Sequence, residues 1–382
     1  MVFFFGFFFY ILIVSWLVYK VPLINQGRNY RKDQFFIIST LGILLLLSCL
    51  RDISVGNDTS SYFDLFYYYG DLLYTSDVSS EGELWRDSRE SGYRTLNYLV
   101  LRFTDNYQFF LSVVACFSYF VAIRFIRKYS SNVGLSCVLF FLMFYGAYTN
   151  LFRQVLAMSI VLLAFDWLNR EKYLLFGIAV LFAAFLFHKT VLVSLLLIPM
   201  AMFRGRKLLF GIVGLFIVAL VALGKIPAFA SLLGITSSYM DKTSGISILF
   251  SAIVNIAFFL TFLYLRQGEK DMEQKEAITR LNPRVAGNLI SWTPYVCLLI
   301  SVVAFAVPVA TRFELYFRFF YLILFPEMLR RSNVSESNKR FVINMLIFTL
   351  LVYIAGIISY RPEWVTEYNY RFFWETNNDF EL

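Results

Sequence analysis

Residues 107–168 read YQFFLSVVACFSYFVAIRFIRKYSSNVGLSCVLFFLMFYGAYTNLFRQVLAMSIVLLAFDWL. In these 62 residues the only charged side chains are Arg124, Arg127, Lys128, Arg153 and Asp166. The first three gather with Ser130, Ser131 and Asn132 into a short polar break. A second break falls at Thr149 and Asn150. Between the breaks lie apolar runs of about twenty residues, the length that crosses a hydrocarbon core of about 30 Å as α-helix. The stretch therefore predicts three consecutive membrane helices, and the same pattern continues on both sides of it.

Spans are expected at about 2–19, 35–50, 107–126, 133–148, 151–168, 173–187, 190–203, 208–223, 248–265, 289–309, 313–329 and 341–360, twelve in one transmembrane domain that covers residues 1–382. Composition agrees. The 382 residues are 59% hydrophobic and only 16% charged, where an ordinary soluble domain carries roughly 25% charged residues. A soluble enzyme, a disordered tail and a coiled coil are excluded, and the fold class is an all-α polytopic integral membrane protein. The formal charge of +8 does not point to nucleic acid, because the basic residues sit in short loops between apolar runs. Cys49, Cys116, Cys137 and Cys297 lie within or at the ends of apolar runs without metal-type spacing, so they read as small apolar residues. No basic region or small-residue cleavage site frames the first run, which reads as a retained span.

The loops that begin near Lys20, Arg124, Arg170, Arg204, Arg266 and Arg330 hold 21 of the 34 Lys and Arg. By the positive-inside rule these loops face the cytoplasm. Both termini and the long loop 51–106 are then extracytoplasmic. Within that loop Leu65, Phe66, Tyr69, Leu72 and Leu73 recur at helical spacing, with Asp58 or Thr59 as an N-cap, and predict an amphipathic helix on the outer leaflet. Leu96, Leu99, Val100 and Phe103 repeat the pattern, and Asp105 with Asn106 can cap the next span.

Cations inside or at the ends of membrane helices are functional candidates by default. Arg153, Lys189 and Arg312 each stand at the outward start of a span. A helix N-terminus carries partial positive charge, so a cation there works against the dipole unless an anion is bound. The three together suggest a shared phosphate site; the bland alternative is snorkelling to lipid headgroups. Arg318 lies four residues after Glu314, a spacing that makes a local salt bridge as readily as a substrate contact. His188, the only histidine, sits at a break between two short apolar runs, where it either does chemistry or satisfies a turn. A lone histidine and the absence of ligand-spaced acids leave no expected metal site, and no nucleotide-binding or hydrolase motif is present. Asp52 and Asp58 follow the second span, and a carboxylate there can take a proton from an attacking hydroxyl or simply cap a helix.

Three pieces of sequence resemble one family. Arg51 with Val55-Gly56-Asn57-Asp58-Thr59 and Tyr62 is similar to a V-G-x-D-T-x-x-Y signature, Asn150-Leu151-Phe152-Arg153-Gln154 with Ala157 to N-x-x-R-Q-x-[IL]-A, and Phe187-His188-Lys189-Thr190 to F-H-[KR]-[ST]. In that order they resemble the Wzy-type O-antigen polymerases and the related EpsG-like exopolysaccharide polymerases. The C-terminal half matches only in hydropathy, with a faint likeness at Tyr368-Asn369-Tyr370-Arg371 to an aromatic tail.

The resemblance implies a GT-C-like membrane glycosyltransferase of the bacterial cytoplasmic (inner) membrane. Such an enzyme joins undecaprenyl-diphosphate-linked oligosaccharide repeat units on the outer face, without metal or cofactor. It implies catalytic roles for Asp58, Arg153 and His188, and substrate or diphosphate contacts for Arg51, Arg153, Lys189, Arg312 and Arg318. The expected partners are the lipid-linked oligosaccharide, membrane lipid and a chain-length regulator. Two alternatives remain open at this point: a flippase for lipid-linked oligosaccharide, and an O-antigen ligase that shares the chemistry but uses another acceptor.

Overall fold

The computed structural model describes residues 2–23, 26–74, 90–203, 214, 245–266, 280–360 and 365–375. Among them the chain is helical throughout, with no strands beyond a single bridge between Arg51 and Phe372. Seven helices are long and apolar enough to cross a membrane: Tyr30–Leu50, Tyr107–Tyr129, Val133–Asn150, Phe152–Asn169, Ile248–Arg266, Pro283–Phe305 and Glu336–Tyr360. Phe3–Tyr19, Tyr173–Leu186 and Lys189–Met202 are shorter apolar helices. The stretch expected to span at 208–223 lies outside the described residues apart from Gly214.

Polar caps fix where several of these helices begin. Asn29, Asn106, Asn132 and Asn282 each accept a hydrogen bond from a backbone N–H in the first turn that follows, and Asn282 is succeeded by Pro283, whose missing N–H costs nothing there. The helix Val133–Asn150 runs through the centre of the described structure. Phe140 and Tyr148 on it meet Phe319, and Phe4 stacks on Phe141 at 4.5 Å. Large apolar side chains such as Leu174, Phe185 and Phe348 are exposed on the outer faces, as a hydrocarbon surround permits.

Two membrane-region segments are broken. After Phe187 the backbone turns at His188 and continues as a 3-10 helix, Lys189–Leu196, before the α-helix Leu197–Met202. The region expected as one span over 313–329 is two helices, Thr311–Arg318 and Tyr321–Arg331, divided at Phe319 and Phe320.

The loop that follows Leu50 contains two helices, Thr59–Tyr74 and Ser91–Leu101. Their apolar faces turn inward. Phe66, Tyr69, Tyr93, Val100 and Leu101 form a second core with Tyr107, Phe110, Phe152 and Leu156 at the starts of two membrane helices. In the second loop helix Tyr93, Arg94, Asn97, Val100 and Leu101 are buried and Leu96 packs half-buried against the core, while Leu99 and Phe103 are exposed. Of the expected face Leu96, Leu99, Val100 and Phe103, Leu96 and Val100 therefore pack inward and Leu99 and Phe103 do not. Tyr93 and Asn97 complete the inner face beside Val100 and Leu101.

Candidate functional site

The segment from Arg51 to Asp58 is held on three sides. Arg51, fully buried, donates from Nη1 to Ser48 O at 3.3 Å and from Nη2 to Thr149 O at 2.8 Å, and its guanidinium lies over the Phe152 ring at 5.1 Å. Gly56 has φ +98°, and a Cβ there would stand 2.9 Å from Thr149 O and 2.7 Å from Thr59 Oγ1, so the turn needs glycine for both backbone shape and space. The Asp58 N–H donates to Asn150 Oδ1 at 2.6 Å. The first two sequence motifs are thus one physical unit.

Asn57 adds the C-terminal segment to that unit. Its Oδ1 accepts from Thr366 N–H at 3.2 Å and from Thr366 Oγ1 at 2.7 Å, while the Gly56 N–H donates to Thr366 Oγ1 at 3.1 Å. The Asp52 N–H donates to Arg371 O and the Phe373 N–H to Leu50 O, both at 3.0 Å.

Asp58 stands just before the helix Thr59–Tyr74, yet among the described residues no hydrogen bond is made to its carboxylate; the Tyr62 N–H reaches the Asp58 main-chain oxygen instead. Burial raises the Asp58 carboxyl above its ordinary value, against the pull of Arg312 and Arg153 nearby.

The second and third motifs meet at Glu90. Arg153 Nη1 donates to Glu90 Oε2 at 2.8 Å, and His188 Nδ1 lies 3.3 Å from Glu90 Oε1. Burial alone would raise the Glu90 carboxyl, but the hydrogen bond from His188 and the Arg153 charge outweigh it and hold it at about 2. For His188 the balance runs the other way: burial lowers the imidazole below its ordinary value although Glu90 pulls it up. With Nδ1–H committed to an ionised carboxylate, the neutral ring keeps Nε2 as an acceptor.

Four helices have asparagine caps, and several others begin without a side-chain cap, those at Ser91, Tyr173, Leu197 and Tyr321 among them. At Phe152, Lys189 and Thr311 no side chain caps the first turn, and these are the starts that carry Arg153, Lys189 and Arg312. Arg153 and Arg312 share the field of Asp58 and of His188. Lys189 follows His188 directly and is half-buried. Arg318 stands apart from this group in its bonding: it donates to Glu314 Oε2 at 2.7 Å, Asn255 Oδ1 at 2.9 Å and Ser251 O at 2.9 Å, with Glu314 also accepting from Ser251 and Ser301. The spacing of Glu314 and Arg318 does make the local salt bridge.

A cavity of about 340 Å³ opens beside this cluster, lined among others by Asn150, Gln154, Arg312, Arg318, Glu367 and Tyr368. Gln154 Nε2 donates to Arg312 O at 2.6 Å, which ties the starts of two helices together on the cavity wall. Among the described residues no group of three or more His, Cys, Asp or Glu gathers where a metal ion would sit.

Glu90 and Glu367 escape a reading of the sequence. Glu90 is one of four acidic residues between Ser79 and Ser91 with nothing local to separate it. Glu367 adjoins the aromatic tail, and only its fold-back onto Asn57 shows where it belongs.

Seven membrane-length helices among the described residues, with a polar cavity between them, define a multi-pass membrane protein with a polar site built into the bundle. The chain belongs to the EpsG family, whose model matches residues 33–372. That membership carries a polysaccharide-polymerase type of function, of the glycosyltransferase kind. No curated protein and no solved structure matches the chain.

Proposed function

We propose that the chain polymerises undecaprenyl-diphosphate-linked oligosaccharide repeat units into O-antigen or exopolysaccharide, on the outer face of the bacterial cytoplasmic membrane and without a metal. Twelve spans in a GT-C-like arrangement would carry the site, with 51–106 outside. The observation that carries this reading is the cluster in which Arg153 and Arg312 act on Asp58 and His188 while Glu90 joins Arg153 to His188, with both arginines at helix starts and Lys189 next to His188. Fixed cations at the dipole-positive ends of helices suit a diphosphate.

In the proposed step a hydroxyl oxygen of the incoming unit attacks the anomeric carbon of the growing chain. The bond from that carbon to the diphosphate oxygen breaks, and undecaprenyl diphosphate leaves with the electron pair and one further negative charge. Arg153, Arg312 and Lys189 stabilise that charge as it develops. Asp58 takes the hydroxyl proton, and His188, oriented by Glu90, relays it to water. Arg51 and Arg318 serve by position, because their guanidinium groups are engaged by Ser48 and Thr149 and by Glu314, Asn255 and Ser251. A chain-length regulator would act on this enzyme from outside the described chain.

Purified protein in lipid nanodiscs, given lipid-linked repeat units, is expected to yield a ladder of polymer. Broken helices with free N-termini also hold anions in transporters, so the same protein in vesicles is to be tested for transbilayer movement of the unit. Movement without polymer overturns the polymerase in favour of a flippase; transfer to a lipid core without chain growth would mark a ligase.

Orientation has its own test. Alkaline phosphatase fused after Ser80 is expected to be active and after Lys270 inactive. The reverse pattern would put the cations on the cytoplasmic side and remove the argument for an outward-facing site.

A further inference from the structure

The cavity wall is not saturated with partners. Glu367 lies in the turn Thr366–Tyr368, 7% exposed, and its Oε2 has no hydrogen-bond partner among the described residues. Gln154 Oε1, on the same cavity, is a second buried acceptor without one. Buried acceptors left open are rare and call for an explanation. The fold goes to some length to bring Glu367 here. Thr366 beside it is tied to Asn57 and Gly56, Tyr145 donates to Glu367 O at 3.1 Å, and the helix opposite has Gly146 where a Cβ would stand 2.8 Å from Glu367 Oε1.

These two open acceptors call for donors from a ligand. A sugar ring supplies hydroxyl donors on its rim and apolar C–H faces, and Tyr353 and Tyr368 on the same wall offer rings for those faces. A volume of about 340 Å³ falls in the range of small-molecule sites. We propose that this cavity is a saccharide subsite, in which Glu367 and Gln154 accept hydrogen bonds from hydroxyl groups of a sugar ring while Arg312 marks the end nearest the diphosphate. The inference rests on the polymerase reading and names the place where that reading's substrate is held.

Protons give the subsite a signature. Burial raises the Glu367 carboxyl to about 7, with Asp58 adding to the rise and Arg51 opposing it. The other titratable or charged groups around it are Tyr145 on the helix Val133–Asn150, Tyr353 on Glu336–Tyr360, Tyr368 in its own turn, and Arg312, Glu314 and Arg318 across the cavity. Hydroxyl donors favour the ionised carboxylate and lower its pKa. Sugar binding at pH 6.5 must therefore expel a proton, and affinity must rise with pH until Glu367 is ionised in the free protein, a little above 7.

The test is calorimetric titration of the full-length protein in nanodiscs with the soluble repeat-unit oligosaccharide, in two buffers of different ionisation enthalpy. Wild-type protein is expected to release protons on binding at pH 6.5. Glu367→Gln is expected to bind without that release and about tenfold more weakly at pH 8, where a charge-assisted bond gives way to a neutral one. Gly146→Ala keeps the carboxylate but crowds Oε1, so it should weaken binding several-fold and keep the proton release. Equal affinity and equal proton release in wild type and Glu367→Gln would overturn the subsite, and so would wild-type affinity in Gly146→Ala. These outcomes are separable from failure of the underlying reading, which shows instead as wild-type protein that makes no polymer.

Discussion

Alanine in place of Arg153 is expected to cut polymer formation by about ten- to a hundredfold in purified protein that still inserts at the normal level. The guanidinium donates to Glu90 at 2.8 Å and stands in the second position of a helix whose first turn has no side-chain cap. A charge-assisted hydrogen bond to the departing diphosphate is worth about 1.5 to 3 kcal/mol, which converts to that range of rate. Lysine at this position should recover only part of the loss, because a point charge cannot hold Glu90 and two phosphate oxygens with the planar fork that arginine has. A snorkelling arginine would behave otherwise: lysine would replace it fully and alanine would leave the rate unchanged. Initial rates with lipid-linked repeat units, normalised to protein, decide between them, and an unchanged rate in Arg153→Ala would remove Arg153 from the diphosphate site.

Much of this site is legible in the sequence because it is written where membranes forbid it. A cation at the start of an apolar run conflicts with lipid and with the helix dipole, and Arg153, Lys189 and Arg312 stand out on that ground alone. In the structure each opens an uncapped helix, and Arg153 and Arg312 act on the same groups. The breaks at His188 and after Arg318 were legible unequally. The first has a polar pair, His188 and Lys189, to mark it; the second follows Arg318, whose spacing from Glu314 reads as a salt bridge on one continuous helix face and so hides the break.

The acidic half of the site is hidden for a different reason. A carboxylate in a polar loop is ordinary, and what distinguishes Glu90 is a pairing with residues 63 and 98 positions away. Glu367 lies still farther from its neighbours in sequence: Asn57 anchors the adjacent Thr366 across 309 positions. Local periodicity carries no information about such contacts. The loop helices are legible in part: Phe66 and Tyr69 are buried as their spacing predicts, while in the second helix Tyr93 and Asn97 join Val100 and Leu101 on a face that a search for leucine and phenylalanine finds only in part.

Removing the acid that joins the second and third motifs is expected to have the widest effect on both stability and activity. Glu90→Ala leaves a guanidinium and an imidazole facing a buried space without their shared acceptor, and breaking a buried pair in this way costs about 3 to 5 kcal/mol. The lower end applies here, since the Arg153 side chain is 26% exposed. Glu90→Gln keeps one acceptor but no charge, so polymer formation should fall in the order wild type, glutamine, alanine. The pH dependence has a definite sign. A carboxyl held at about 2 against its ordinary 4.5 contributes stability that is fully present above pH 4.5 and is lost as pH falls toward 2. That contribution is on the order of 3 kcal/mol. Thermal unfolding of the wild type in detergent should therefore show a falling melting temperature between pH 5 and 3, and Glu90→Gln, with nothing to protonate at this position, should lose less over the same interval. Arginine 153 is coupled to the same step: in Arg153→Lys the replacement Glu90→Gln should cost less than in the wild type, because part of the pair is already gone. Wild-type melting curves and wild-type rates in both Glu90 variants would show that the contact does not bind the motifs together, and the orientation of His188 would then need another cause.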